Sequence, residues 1–263
     1  MITRIGTALL VGPISLVAMV VGGWVLAAGV MIISFFVSSE VLKMALPPSK
    51  RWPVWLGIGI VLLAIASTQF EAARVIWNSP ILKFLGIGAV VFQVAELLMG
   101  RPWFPRNWMF RWVKVVTILC LIFPYFCLMR SLYSGWVLLM FVCLVAWFGD
   151  TGAYFAGKKW GRRPLAPRIS PGKTVEGAIG GFVVSVVFAA IYALCLGLPV
   201  ALFIAYGAGF AVLGQVGDLH ESLVKRFFKV KDSSRLLPGH GGMYDRTDST
   251  HLLIAVGYYF LRF

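Results

Sequence analysis

The sequence predicts an all-α, polytopic integral membrane protein with about nine transmembrane helices and two polar cytoplasmic loops, on three grounds. Of its 263 residues, 60% are hydrophobic and 13% charged, whereas soluble domains run at roughly 45–50% apolar and about 25% charged. Mean hydropathy is +0.87. Apolar runs also recur at the length of about 20 residues that a helix needs to cross a hydrocarbon core of about 30 Å. An ordinary soluble globule and intrinsic disorder are both excluded, and the 28 glycines and 13 prolines are compatible with membrane helices.

In order, the spans fall at 5–21, 24–42, 53–69, 81–99, 112–129, 135–155, 174–196, 199–219 and 249–263. Met1–Arg4 and the apolar run behind it have the look of a signal peptide, with Ala27-Ala28 mimicking a cleavage site. The run continues past Ala28, so an uncleaved pair of helices meeting at Gly22-Gly23 is preferred. Lys43, Lys50 and Arg51 close the second span, Arg74 lies between the third and fourth, and Lys83 stands at the start of the fourth. Arg101, Arg106, Arg111 and Lys114 separate the fourth from the fifth, and Arg130 ends the fifth. A loop at 156–173 follows the sixth, the seventh and eighth meet near 197, and a loop at 220–248 precedes the ninth. The ninth, about 15 residues, is short for a full crossing. Residues 1–130 thus form an N-terminal helical region, and 131–263 hold both polar loops.

With the N-terminus in the cytoplasm, twenty of the 24 Lys and Arg residues fall inside and four, Arg74, Lys83, Arg130 and Arg262, outside. That split is the positive-inside asymmetry. The net charge of +14 therefore lies where anionic lipid or a polyanionic substrate would meet it. The four cysteines sit in apolar runs without CxxC spacing, which suggests neither a zinc site nor a disulfide framework.

Seven of the ten carboxylates follow residue 149, all at cytoplasmic helix ends or in the two long loops. A carboxylate at the edge of a membrane helix is costly unless it meets a partner, a cavity or an ion. Asp150 and Asp218 are of this kind, and on a continuing helix Glu221 and Ser222 share the face of Asp218. Asp245 and Asp248 lie three apart in GGMYDRTDS, where Asp248 could equally cap the ninth helix. Two carboxylates repel unless a cation lies between them, and Mg2+ takes one or two together with phosphate oxygens. Asp218 and Asp245 are the best such pair; salt bridges to Lys225, Arg226 or Arg246 are the alternative.

In the first loop, GKT lacks the glycine at 167 that a Walker A element requires, because Pro167 stands there. Ser170, Gly172, Lys173 and Thr174 before a helix N-terminus still suit a phosphate, with a plain N-cap as the alternative. The second loop mixes Lys225, Arg226, Lys229, Lys231 and Arg235 with Asp232, Asp245 and Asp248. Anionic headgroups would repel those acids, so a metal–phosphate site is favoured over simple adhesion. His240 in PGHGG could bond phosphate or serve the loop, while His220 and His251 receive no role.

The stretch Ser222–Asp248, with SLVKR, KDSS, LLPGHGGM and DRTD, is similar throughout to the signature of the phosphatidate cytidylyltransferases, also called CDP-diacylglycerol synthases. GDTGAYFAGKKWG and LAPRISPGKTVEG resemble that family too, so the likeness covers nearly all of 149–181 and 214–249. It implies transfer of CMP from CTP to phosphatidate in phospholipid biosynthesis at the bacterial inner membrane, with Mg2+ as cofactor and a second cation left open. It further implies that Asp218 and Asp245 bind metal, with Asp248 and Asp150 as supporting acids. Ser170, Lys173, Thr174, Lys225, Arg226 and Arg246 would bind nucleotide or lipid phosphates, and Ser222 and His240 join the substrate-binding set. A homodimer with a cavity open to lipid is implied, and no nucleic acid. Three other readings stay open, one of them an inactive, scaffold-like paralogue. A CTP-dependent polyprenol-type lipid kinase would release CDP instead. A transporter would need polar groups along its spans, where only Gln93 and Glu96 stand out.

Overall fold

The computed structural model describes residues 2–234, 236 and 241–261, except for the side chains of residues 2–11, 248 and 251. Helices dominate, as the sequence predicts. They run α1 (Ile2–Val21), α2 (Gly23–Ala45), α3 (Trp52–Ser67), α4 (Glu71–Trp77), α5 (Pro80–Leu98), α6 (Trp108–Cys120), α7 (Pro124–Arg130), α8 (Gly135–Trp160), α9 (Val175–Leu196), α10 (Val200–Phe227) and α11 (Asp248–Phe260). One two-stranded antiparallel hairpin, β1 (Pro164–Ala166) with β2 (Ser170–Thr174), interrupts them.

Among the described residues, six helices are long and apolar enough to cross a membrane, and a seventh crossing arises if α3 and α4 count as one. The count of nine is therefore not confirmed among the described residues. The predicted third span ends in a 109° bend into α4. The ninth is a helix of 13 residues, well under the length of a crossing. Of the first, Gly12–Val21 is the stretch that can be assessed. The predicted fifth span is met as one crossing, Trp108–Arg130, with a local break between α6 and α7 before Pro124, which has no N–H for a helical bond.

Both long loops are shorter than the sequence suggests. Helix α8 runs to Trp160, so 156–160 is helical, and Gly161–Thr174 carries the hairpin. Helix α10 runs to Phe227, so His220–Phe227 is helical as well. At 28 residues, and about 1.5 Å per residue, α10 is about 42 Å long and carries its polar last turns beyond an apolar layer.

Helices α8, α9 and α10 pack as one layer on small residues. A Cβ on Gly180 would collide with the Cβ of Ala156, and one on Gly207 with that of Ala189. Such contacts let backbones approach closely in a bundle where lipid is as apolar as the side chains. Ser185 Oγ donates to the Val145 carbonyl across the same α8–α9 seam, at 3.1 Å. Behind this layer, α11 buries one face through Leu252, Leu253, Ile254 and Tyr258.

Candidate active site

The polar ends of α2, α8, α9, α10 and α11 come together at one end of the bundle. Between α8, α9 and α10 lies a cavity of about 540 Å³. It exists because Gly149, Ala153, Gly157, Gly177 and Gly214 line it with almost no side-chain volume. Its deeper wall is apolar, with Val145, Ala146, Phe210 and Ala211, while Asp150, Asp218, Asp245, Lys173 and Arg246 line its polar part.

Each charged group is placed by its own element. Thr174 caps α9, its Oγ1 accepting from Gly177 N–H at 3.1 Å, so the positive end of that helix faces the cavity. Glu176, in the first turn, accepts from the N–H groups of Arg162 and Arg163 and from Arg163 Nε. That anchors the hairpin base. Lys173, the last side chain before the cap, reaches across to Asp218 at 2.6 Å. Asp150 on α8 accepts from Ser249 Oγ of α11 at 2.9 Å.

Asp245, in the 3-10 turn Tyr244–Arg246, is bound more heavily. Lys225 Nζ lies 2.7 Å from Oδ1. The N–H groups of Gly242 and Ser233 donate to Oδ2 at 2.8 and 2.9 Å. Burial works against ionisation of this carboxyl, but Lys225 and the two N–H groups outweigh it and hold its pKa below the ordinary carboxylate range. Gly241 has φ +80°, a conformation glycine adopts without penalty, and it turns the chain so that Gly242 faces Asp245.

Of the residues singled out from sequence, Asp150, Lys173, Thr174, Asp218, Asp245 and Arg246 share the cavity wall. Lys225 stands behind it, bridging Asp245 and Glu221. Arg226 turns away, donating to the carbonyls of Ile169 and Val230 and so joining the hairpin to α10. Ser170 is in β2 opposite Ala166, and Ser222 is buried on α10; neither lines the cavity. Asp218 and Glu221 do not act on one ligand face, since Glu221 is buried and pairs with Lys225. His240 and the side chain of Asp248 lie outside the described residues.

The salt-bridge alternative holds for Asp245 with Lys225, whereas Asp218 takes its partner from the other loop. Among the described residues no group of three or more His, Cys, Asp or Glu forms a ready metal cage. The cavity's donors are carboxylate oxygens from three elements. That set fits a hard divalent cation that keeps water and takes phosphate oxygens to complete its shell.

Two buried acids were not assigned to the site from sequence. Glu96 on α5 accepts from Lys114 Nζ at 2.5 Å and pairs with His220 at 2.9 Å, joining α5, α6 and α10 behind the cavity. Glu40 on α2 accepts four hydrogen bonds from the second loop. The available signal was a carboxylate near the end of an apolar run; its partners are 193 to 204 positions away.

The profile of the Cytidylyltransferase family matches residues 2–263. The chain is 44% identical over 142 residues to the phosphatidate cytidylyltransferase of Bacillus subtilis, a stretch covering 53% of each chain. It is 42% identical over 137 residues to the Haemophilus influenzae protein of that name, covering 50% of this chain and 48% of that one. With the Staphylococcus saprophyticus protein of the same name it is 32% identical over 229 residues, 75% of this chain and 88% of the relative. The matched stretch thus spans about half the length of the first two relatives and most of the third. A profile match along nearly the whole chain, and a relative aligned over most of its own length, give the cavity its context: the chain belongs to the cytidylyltransferase family.

Proposed function

We propose that the protein is a phosphatidate cytidylyltransferase that makes CDP-diacylglycerol and pyrophosphate from phosphatidate and CTP. The observation that carries this reading is one cavity with carboxylates and cations at its mouth and an apolar wall behind them. A nucleoside triphosphate and a lipid phosphate need the first, and an acyl-bearing substrate needs the second.

A phosphate oxygen of phosphatidate attacks the α-phosphorus of CTP. The new P–O bond forms as the bond from the α-phosphorus to the oxygen bridging it to the β-phosphorus breaks, and pyrophosphate leaves with that electron pair. The nucleophile is already ionised near neutral pH, so no strong general base is required. Lys173 and Arg246, on the cavity wall, neutralise phosphate charge, and the α9 N-terminus adds its partial positive charge. Asp218 and Asp245 would hold Mg2+, with Asp150 in support, and such an ion would supply Lewis-acid stabilisation of phosphate charge. Lys173 pairs with Asp218 and Lys225 with Asp245, so each acid keeps a cation beside it while substrates exchange. The active site faces the cytoplasm of a bacterial inner membrane, and the enzyme works as a homodimer.

The test uses protein purified in detergent, phosphatidate, Mg2+ and CTP labelled at the α-phosphate. Label entering the organic phase with equimolar pyrophosphate, and lost under EDTA, is the expected result. With CTP labelled at the γ-phosphate instead, CDP release with label in the lipid would identify a CTP-dependent lipid kinase.

A further inference from the structure

Glu40 sits near the C-terminal end of α2 and is 6% exposed. Its Oε1 accepts from Ser234 Oγ at 2.6 Å and from Met243 N–H at 3.0 Å. Its Oε2 accepts from Ser233 Oγ and from Tyr244 N–H, each at 2.8 Å. One carboxylate thus ties together both arms of the second loop, the serine pair on one side and the chain entering Asp245 on the other. The fit is close, since a Cβ on Gly242 would stand 2.5 Å from Oε2.

Ser233 Oγ is also 3.0 Å from Asp245 Oδ2. A hydroxyl has one proton to give, so Ser233 can donate to Glu40 or to Asp245 at any instant. The two carboxylates are therefore coupled through one hydroxyl as well as through the backbone at Tyr244.

We propose that Glu40 is a positioning residue for Asp245, clamping the two arms of the loop and sharing the Ser233 hydroxyl with it. The inference rests on the proposed role of Asp245 in the reaction. A glutamine cannot replace Glu40 in this geometry. Each oxygen receives a backbone N–H, and these cannot turn round as the serine hydroxyls can, so either orientation of the amide sets its NH2 against one of them. Ordering carboxylates behind a metal-binding group typically contribute about 10–100-fold in affinity or activity.

The test compares wild type, Glu40→Gln, Ser233→Ala and the double variant as full chains in detergent. Glu40→Gln is expected to lower kcat by about 10–100-fold, with KM for CTP within about twofold because it does not touch the cavity. Trypsin should cut after Lys229 and Lys231 about tenfold faster than in wild type, the factor that losing one charge-assisted bond gives a local opening, with the thermal midpoint of the protein unmoved. Ser233→Ala should reproduce part of both effects, and the double variant should be no slower than Glu40→Gln, as expected of residues acting through one contact.

Wild-type kcat and cleavage in Glu40→Gln would overturn the proposal. So would independent, multiplying losses in the double variant, or a lowered thermal midpoint with kcat per folded molecule unchanged. Should the wild type release no pyrophosphate, or Asp245→Asn prove fully active, the activity reading fails, while the trypsin comparison still decides whether Glu40 clamps the loop.

Discussion

Asp218 and Asp245 each face the cavity with an ammonium beside them, Lys173 for one and Lys225 for the other. Replacing either acid by asparagine keeps its size and removes its charge. Asp218→Asn and Asp245→Asn are each expected to lower turnover by about 100-fold or more, the scale of losing a group that manages developing charge, while the protein stays folded by size-exclusion and thermal unfolding. Near-wild-type turnover at saturating Mg2+ would remove that residue from the proposed metal site. The depressed pKa of Asp245 adds a pH signature. Its folded value lies below the ordinary carboxylate range, so its contribution to stability is present in full above that range and is lost as pH falls through it towards the folded value. Unfolding midpoints measured from pH 6 downwards should therefore fall in the acid limb, and less steeply in Asp245→Asn. The sequence made these two acids legible because each lies in a short polar run beside a membrane helix. Glu40 gave no such sign, since its partners Ser233 and Ser234 stand 193 and 194 positions away and only the folded loop brings them together.

Helix ends explain most of what the sequence misjudged at the level of elements. Hydropathy reports where the chain leaves an apolar layer, whereas helical hydrogen bonding continues until something stops it. In α10 nothing does before Phe228, and Lys225 and Arg226 in the last turn suit the negative end of the helix dipole. The residues expected in a loop are thus held on a rigid helix, which lets Lys225 reach both Glu221 and Asp245. The hairpin was hidden for another reason: strands of three and five residues rich in proline and glycine carry no alternating pattern. The α8–α9 seam gives a direct test of packing. Gly180→Val must push against Ala156, and overpacking of this kind costs about 1–3 kcal/mol. Its thermal midpoint in detergent should drop. Gly209→Val, on the exposed side of α10 where a Cβ meets nothing within 4 Å, should change little, and equal shifts in the two would show that the seam is not tightly packed.

Across the whole molecule, polar contacts sort to two ends. At one, the α2, α8 and α10 C-termini meet the α9 and α11 N-termini around the cavity, with both basic loops beside them. At the other, Arg130 beyond the fifth predicted span donates to the carbonyls of Met19 and Val20 at the end of α1, and Tyr258 near the end of α11 donates to Asn78. That arrangement is what alternating crossings from a cytoplasmic N-terminus require, although the bend after α3 and the shortness of α11 reduce the number of crossings long enough to be counted. The charge asymmetry supports the proposed orientation with the cavity end inside, because Lys and Arg are retained on the cytoplasmic side. Single cysteines placed at Arg168, exposed beside the hairpin, and at Tyr133, 91% exposed before α8, report the two ends. In a background with the four native cysteines replaced, a membrane-impermeant maleimide should label Tyr133→Cys in intact spheroplasts and Arg168→Cys only in inverted vesicles. The reverse pattern would put the cavity on the outer face, away from cytoplasmic CTP, and would defeat the proposed reaction at the same stroke as the topology.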